Sequence, residues 1–230
     1  MAAPAALELS QIAKIYGNTP ALRAASFRLE NGQVLALLGP NGSGKTTLLK
    51  IVAGAVSPSL GSGTIFGLDL RAQKLALRSV VGFLASESYL YDDLTAAENL
   101  GFVATMAGIR IESSTIDRLL SDVRLETRGR ERVRSFSSGM KRRLSLARML
   151  LPSPRLLLLD EPYNSLDEDG AALVDDTVSR AARNGGAAVL ATHDADRALT
   201  IATHVARLER GRLMYFGPVG PYQSRVQHVG

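Results

Sequence analysis

Several features that would place this sequence in a particular class are missing from it. It contains no cysteine, which excludes disulfide bonds and thiolate metal sites and fits a reducing compartment. No apolar run approaches the ~18 residues that a transmembrane helix needs. Residues 1–14 lack a basic segment followed by an apolar stretch, so a signal peptide is not expected. The sequence therefore predicts a soluble protein that reaches a membrane only through a partner.

Aromatic residues are scarce as well, at 5%, and this bears on the basic character of the chain. Much of the formal charge of +5 lies between Arg124 and Arg143. A basic balance suits nucleic acid, anionic lipid or anionic ligands, or it simply gives a solvated surface. Phe136 is the one aromatic residue in that stretch, so stacking on single strands is poorly supported and nucleic acid is not expected as a partner.

The chain length and patterning indicate one domain with an insertion. A length of 230 residues with 46% hydrophobic residues suits a single large domain with a sizeable core. The sequence has no repeat of ~20–50 residues and no low-complexity linker. It predicts an α/β core at 1–86 and 156–230, with an N-terminal β region and a mostly helical lobe inserted at about 87–155.

Periodicity and turn signals place the elements. Strands are predicted over 7–12, 25–29, 34–38, 156–159 and 187–191, with a turn at 17–20 and a final hairpin over 205–208 and 212–216. Helices are predicted over 46–52, from a cap at Ser114, from Ser138 and over 171–183.

A phosphate-binding loop follows the apolar run at 34–38. The pattern G-x-x-x-x-G-K-[ST] is met in full by Gly39, Pro40, Asn41, Gly42, Ser43, Gly44, Lys45 and Thr46, and Thr47 continues it into the helix. Glycines let successive backbone N–H groups point at phosphate oxygens, and the helix N-terminus adds its positive dipole end. Lys45 supplies a charge for the β- and γ-phosphates, and the Thr46 hydroxyl is a ligand for Mg²⁺. The alternative is an ordinary glycine-rich turn, but the full pattern, the buried strand before it and the helix after it favour a phosphate-binding loop.

Two further strands end in polar residues. Asp160 and Glu161 follow the apolar run at 156–159, and His193 follows the run at 187–191. Ligands of open α/β sheets bind at the carboxyl ends of strands, so these residues are expected to reach the same crevice as the phosphate loop. Asp160 is the predicted Mg²⁺ residue, Glu161 the predicted base for the attacking water, and His193 the predicted contact to the γ-phosphate.

A second motif identifies a family. Residues 136–140 read Phe-Ser-Ser-Gly-Met, and Gly139 stands 21 residues before Asp160. This segment resembles the signature motif of the nucleotide-binding domain of ABC transporters, usually Leu-Ser-Gly-Gly-Gln, and the resemblance extends over the whole chain. The departures at Phe136 and Ser138 leave the contacting serine and glycine in place. A phosphate loop paired with this signature is specific to the family.

The resemblance implies ATP and Mg²⁺ as cofactors and ATP hydrolysis as the activity. Ser137, Ser138 and Gly139 would bind the γ-phosphate of ATP held by a second ATP-binding subunit, and an anion site at a helix N-terminus agrees with this. One such site per protomer favours a two-fold homodimer, with a heterodimer left open. Tyr16 would stack on adenine, the alternative being a surface tyrosine in a hairpin, and Asp167 would lie in the loop that crosses the dimer interface.

One position departs from the family more seriously. Where the family usually has a glutamine that touches Mg²⁺ and the attacking water, this chain has Ser86 or Glu87, depending on the alignment. A carboxylate near the γ-phosphate would be repelled unless it binds the metal. Glu87 is therefore a candidate metal ligand whose role the sequence leaves open.

The resemblance also extends to the class of transporter. The signature variant is similar to those of exporters with separate membrane subunits, so a transmembrane permease is the expected partner, at the cytoplasmic face of the cell membrane. Segments 89–100 and 160–163 resemble the ATP-binding subunit of the haem exporter of cytochrome c maturation, and an exporter of a drug, lipid or polysaccharide is the alternative. Tyr89 and Tyr91 are predicted either to anchor the permease or to pack the lobe onto the core.

Two rival classes with the same signature are disfavoured. DNA-repair and chromosome ATPases separate the two nucleotide motifs by hundreds of residues of coiled coil, whereas Lys45 and Asp160 are 115 residues apart here. Translation-factor relatives carry two ATPase domains, and this chain carries one set of motifs.

Overall fold

The computed structural model describes residues 3–227, with side chains up to residue 224. Ten strands lie in this range: β1 (Leu7–Tyr16), β2 (Thr19–Leu29), β3 (Val34–Leu38), β4 (Leu60–Ile65), β5 (Leu68–Asp69), β6 (Val81–Leu84), β7 (Leu156–Asp160), β8 (Ala187–Ala191), β9 (His204–Glu209) and β10 (Arg212–Pro218). The same range contains eight α-helices: α1 (Lys45–Val52), α2 (Lys74–Val80), α3 (Ala96–Met106), α4 (Ser113–Asp122), α5 (Ser138–Leu150), α6 (Glu168–Arg183), α7 (Ala195–Ile201) and α8 (Val219–Gln227).

The strands form two sheets. Strands β2-β1-β4-β5 form an antiparallel sheet, and β10-β9-β3-β8-β7-β6 form a sheet that is parallel except for β10. Helices α3, α4 and α5 lie in the chain between the neighbouring strands β6 and β7. The α/β core, the N-terminal antiparallel β region and the inserted helical lobe predicted from the sequence are all present.

The central strands separate two hydrophobic clusters. Every residue of β3, β7 and β8 is buried. Because successive side chains point to opposite faces of a strand, Leu156 and Leu158 pack with α1 and the antiparallel sheet, while Leu157 and Leu159 pack with the helical lobe and α6. The strands predicted at 34–38, 156–159 and 187–191 are confirmed, and all three are buried on both faces.

Side chains at the helix ends fix where the lobe begins and turns. Thr95 and Glu98 form a reciprocal capping box at the start of α3, and the Ser137 Oγ accepts a hydrogen bond from the Met140 amide at the start of α5. The prediction that Ser114 caps the next helix is wrong. The chain enters α4 one residue earlier, because Glu112 already occupies the capping position and its carbonyl accepts from the amide of Thr115 at 3.0 Å.

The first hairpin is longer than its pattern predicts. Strand β1 continues past the predicted end at residue 12, and β2 begins at Thr19, inside the predicted turn. The pairing of β1 with β2 shifts register between Leu9 and Ile12, and Gln11 adopts a positive φ of 53° there. Such a bulge breaks the two-residue period, so the alternation weakens although the strand continues.

Candidate functional site

The phosphate loop joins β3 to α1 in a shape that requires its glycines. Gly44 immediately precedes the helix with a φ of 106°, and a Cβ there would lie 2.6 Å from the carbonyl oxygen of Ala21. A Cβ on Gly39 would lie 2.2 Å from the carbonyl oxygen of Leu208. These contacts are closer than any side chain tolerates, so the glycines let the loop curl tightly over the N-terminus of α1. A loop of this shape can direct backbone amides at an anion.

The Lys45 ammonium is held within the phosphate loop. The residue is buried, and its ammonium donates to the carbonyl oxygens of Gly39 at 2.7 Å and Pro40 at 3.4 Å. A cation in the first turn of a helix opposes the helix dipole. A phosphate group at this position would satisfy both the dipole and the ammonium.

Thr46 and Asp160, two of the residues predicted to hold Mg²⁺, lie in direct contact. The Thr46 hydroxyl, in the first turn of α1, donates to the Asp160 Oδ2 at the end of β7 over 2.9 Å. Asp160 is buried, and desolvation raises the pKa of its carboxyl group. Hard oxygen donors beside a carboxylate that lacks solvation fit Mg²⁺, which would be held by Thr46 and Asp160 and by the phosphates themselves.

Glu161 and His193 lie in contact beside this pair. The backbone amide of Glu161 donates to the carbonyl of Ala191 at 2.7 Å, which ties the end of β7 to the end of β8. The Glu161 Oε2 then lies 2.8 Å from the Nδ1 of His193. The Glu161 side chain is mostly sheltered, at 17% exposure, whereas His193 is 68% exposed. The predicted general base and the histidine predicted for the γ-phosphate therefore occupy the same edge of the sheet.

A cavity of about 290 Å³ lies between these groups. It is lined by Ala21, Asn41, Gly42, Ser43, Gly44, Lys45, Thr46, Thr47, Ser86, Asp160 and Glu161. The Ser43 hydroxyl is buried and has no hydrogen-bond partner within the described part of the chain, as expected where a ligand completes the site. The predicted phosphate-loop and carboxylate residues are thus brought together around one space.

The cavity also distinguishes Ser86 from Glu87, the two residues after β6 that could stand in the place of the family's glutamine. Ser86 lines the cavity, whereas Glu87 lies beside Tyr89 and raises the pKa of its phenol by hydrogen bonding. The structure does not bring Glu87 to the predicted metal residues, so its metal role stays a prediction without support from this geometry.

The signature residues line a second cavity, also of about 290 Å³. Its walls are Ser137, Ser138, Gly139, Met140, Arg143, Ser165 and Asp167. A Cβ on Gly139 would lie 2.9 Å from the Ser165 carbonyl oxygen, so glycine lets the start of α5 pack closely on this loop. Asp167 caps α6 by accepting from the Gly170 amide at 2.8 Å, and it pairs with Arg143 at 2.6 Å. The predicted interface residue Asp167 and the signature therefore form one surface.

Comparison with known proteins decides the family. Residues 22–164 match the family described as ABC transporter, which is more than half of the chain. The chain belongs to the ABC transporter family. Within this family the chain is an ATP-binding subunit, that is, an ABC ATPase.

Several curated relatives of this ABC ATPase share one name. Nod factor export ATP-binding protein I of Rhizobium etli is 34% identical over 209 residues, which cover 90% of this chain and 66% of the relative. The protein of the same name from Rhizobium johnstonii is 35% identical over 212 residues, covering 91% of this chain and 68% of the relative. The chain thus spans about two thirds of the length of these curated relatives. They do not confirm the haem-exporter resemblance of the short segments.

Solved structures confirm the P-loop NTPase fold. An ATP-binding subunit of an ABC transporter aligns with a TM-score of 0.86 at 26% identity, over 96% of this chain and 93% of that one. The ATP-binding cassette MJ0796, a dimer bound to ADP and phosphate in a post-hydrolysis state, aligns with a TM-score of 0.83 at 23% identity, over 93% and 98%. The second likeness is evidence for the fold alone.

Tyr16 lies on the surface of the ABC ATPase at the tip of the first hairpin. Its side chain is 47% exposed, and the ammonium of Lys14 lies 5.0 Å from the ring centroid. An exposed ring is available for stacking, as an adenine platform requires. The role of Tyr16 stays a prediction.

Arg142 is a positioning residue that sequence reasoning did not identify. It extends from α5 into the interior and donates to the carbonyl oxygens of Asp160 at 2.6 Å, Glu161 at 2.7 Å and Pro162 at 3.3 Å, and also to that of Ala85. Burial lowers the pKa of its guanidinium. Arg142 therefore connects the signature helix to the backbone that carries both carboxylates. Its partners are backbone atoms 18 to 57 residues away, so no local pattern indicates the contact.

Proposed function

We propose that this ABC ATPase binds and hydrolyses ATP as a homodimer and drives export through a separate permease. The observation that carries the proposal is the presence of two complementary half-sites on one chain. The phosphate-loop cavity and the signature cavity share no lining residue among those described. A two-fold axis would place the signature cavity of one protomer over the phosphate-loop cavity of the other, so that ATP is bound between them.

The residues of the first half-site have separable roles in hydrolysis. The amides of the phosphate loop and Lys45 bind and orient the phosphates, which holds the γ-phosphate in line with the attacking water. Glu161 accepts the proton of that water, and its contact with His193 leaves its second carboxylate oxygen for this task. When Mg²⁺ is bound, it neutralises charge on the β- and γ-phosphate oxygens.

The second half-site would complete this arrangement. Ser137 caps α5 and Gly139 lies in its first turn, where the helix N-terminus favours an anion. Arg143 adds a guanidinium to the wall of the same cavity. Charge stabilisation from a partner protomer is the kind of contribution on which phosphoryl transfer depends most. An isolated monomer is therefore expected to be nearly inactive.

An exposed apolar surface on the lobe provides a docking place for the permease. We call Tyr89, Tyr91 and Phe102 the aromatic patch; their exposures lie between 39% and 58%. The rings of Tyr91 and Phe102 are 4.8 Å apart in an edge-to-face contact. Buried Asn99 fixes the backbone of Tyr91 through hydrogen bonds to its amide at 2.9 Å and its carbonyl at 3.0 Å. Large exposed rings on a fixed backbone are typical of interface anchors.

The proposed location follows from this partner. Among the described residues, no helix combines the length and the apolar character needed for a bilayer crossing. The aromatic patch would hold the subunit at the cytoplasmic face of the cell membrane as a peripheral protein. Nucleic acid has no part in this proposal.

Replacing both patch tyrosines tests the proposed partner. We expect the double variant Tyr89→Ala, Tyr91→Ala to keep its melting temperature, ATP affinity and basal hydrolysis, because both rings project outward. Association with the permease should weaken by about 2 kcal/mol or more for each ring. The measurement is pull-down of the co-purifying membrane protein, whose identity also defines the transporter.

A control for this experiment uses equally exposed apolar residues elsewhere. Leu75 is 80% exposed and Met214 is 58% exposed, and replacing both by alanine should leave the pull-down unchanged. A large fall in melting temperature with unaltered pull-down in the tyrosine variant would instead mean that both rings pack the lobe onto the core.

Two cargo classes are supported by different observations. The names of the curated relatives favour an exporter of a cargo other than haem, such as a drug, lipid or polysaccharide. The segments around Tyr91 and Tyr163 favour haem export for cytochrome c biogenesis.

Deletion of the gene separates the two cargoes. If haem is exported, the deletion strain should lose covalent haem from c-type cytochromes and keep b-type cytochromes, because only the c-type proteins need haem delivered across the membrane for attachment. Haem staining of membrane proteins measures this. Normal c-type staining in the deletion strain would rule out haem export and favour a drug, lipid or polysaccharide as the cargo.

A further inference from the structure

One carboxylate outside the nucleotide cavity gathers two side chains from distant parts of the chain. Asp175, on α6, accepts a hydrogen bond from the Tyr163 hydroxyl at 2.8 Å through Oδ1. Its Oδ2 accepts from the Arg197 guanidinium, from Nη2 at 2.7 Å and from Nε at 3.0 Å. We call Tyr163, Asp175 and Arg197 the carboxylate clamp. Each member restricts the other two, because both oxygens of the carboxylate are engaged.

The surroundings of the clamp make it stronger than an ordinary surface pair. The side chains of Asp175 and Arg197 are only 21% and 20% exposed, so solvent screens their attraction less than it would at an open surface. The guanidinium also lies 5.3 Å from the Tyr163 ring centroid and donates to both oxygens of Glu168 at 3.0 Å. Charge-assisted hydrogen bonds from a planar guanidinium fix direction as well as distance.

The clamp joins the two segments that carry the groups expected to act on the γ-phosphate. Tyr163 stands two residues after Glu161, and Arg197 stands four residues after His193. The amide of Arg197 also donates to the Asp194 carboxylate at 3.1 Å, which caps α7 directly after His193. Asp175 therefore links the loop after β7 to α7, the helix that begins two residues after His193.

We infer that the carboxylate clamp is a positioning device that holds Glu161 and His193 at their working separation. The inference rests on the proposed function, in which Glu161 is the base for ATP hydrolysis. The contact of 2.8 Å between Glu161 and His193 requires both loops to keep their places. Asp175 reaches neither residue directly, so it acts through the backbone of the two loops.

The expected effect follows from the sensitivity of catalysis to geometry. The variants Asp175→Asn and Tyr163→Phe each remove part of the clamp and keep the size of the side chain. A displacement of 1 Å at a catalytic group costs about 100-fold, so we expect kcat to fall about tenfold to 100-fold. The phosphate loop is untouched, so the KM for ATP should change by less than about twofold.

A double variant tests whether the members act as one unit. Adding Arg197→Gln to Asp175→Asn should lower kcat hardly further than the more severe single variant, because both substitutions break the same contact. Asp176→Asn is the matched control: it removes the same charge from the adjacent position of α6, where the carboxylate pairs with Arg180 at 3.0 Å on the surface. This control should hydrolyse ATP at the wild-type rate.

The assay uses the full chain at concentrations where ATP drives dimer formation, with melting temperatures measured on the same preparations. Unchanged kcat in folded clamp variants would overturn the inference, as would an equal loss in Asp176→Asn or a rise in KM that accounts for the whole effect. If Asp175→Asn does not fold, Tyr163→Phe decides, since it keeps the ring and the ion pair. A wild-type dimer without hydrolysis would instead overturn the proposed function and the inference with it.

Discussion

Replacement of Lys45 by alanine should abolish ATP binding at millimolar concentrations. The substitution removes the buried ammonium that lies in the curl of the phosphate loop, held by the Gly39 carbonyl at 2.7 Å. Hydrogen bonds to a charged group contribute about 1.5–3 kcal/mol each, so losing those to the β- and γ-phosphates should weaken affinity by roughly 100-fold or more. Titration with a fluorescent ATP analogue measures the loss.

The fold of this variant should survive, because a buried cation without its ligand contributes little to stability. Lys50→Ala, in the last turn of the same helix, is the control and should bind ATP normally. Wild-type affinity in Lys45→Ala would show that the loop does not bind phosphate.

Replacement of Glu161 by glutamine should separate binding from hydrolysis. The amide cannot accept the proton of the attacking water, and general-base catalysis contributes about 10²–10⁴-fold, so turnover should fall by that factor. Asp160, Thr46, Lys45 and the signature cavity remain, and ATP should still bind between two protomers. Because the nucleotide is not consumed, the dimer should accumulate, and light scattering with ATP and Mg²⁺ should show a doubled mass.

The matched control is Glu30→Gln, a surface carboxylate that pairs with Arg28 at 2.6 Å, which should turn over normally and dimerise only transiently. A Glu161→Gln protein that stays monomeric with ATP, or that hydrolyses at the wild-type rate, would contradict the assigned role.

Local signals in the sequence located most of the candidate site. The phosphate loop is contiguous, and its pattern specifies both the turn and the charge, so its position after a buried strand could be predicted. The meeting of Thr46 with Asp160 also followed, because parallel strands deliver their carboxyl ends to one edge. Positions 114 and 11 show the limit: the start of α4 and the bulge in β1 depend on where the backbone turns, which the residue types there leave undecided.

The features of the site that could not be predicted from the sequence depend on contacts between distant segments. Whether Ser86 or Glu87 faces the cavity depends on the path of the backbone after β6, and both residues are compatible with a loop. The carboxylate clamp joins residues 12 and 22 positions apart, through residue types that are common on protein surfaces. Such contacts become visible only when the packing of α6 and α7 is known.

The hydrogen bonds of Arg142 have a consequence for how this protein can evolve. The guanidinium binds carbonyl oxygens, which every amino acid carries, so side chains at positions 85 and 162 can be exchanged without removing an acceptor. A mutation at Arg142, by contrast, removes the donor from four carbonyl oxygens at once. No single substitution at the residues that carry those carbonyls can replace the lost hydrogen bonds. Paired substitutions are therefore not expected between position 142 and its neighbours in space. Methods that infer contacts from correlated sequence changes should leave this interaction undetected, even in a deep set of homologues.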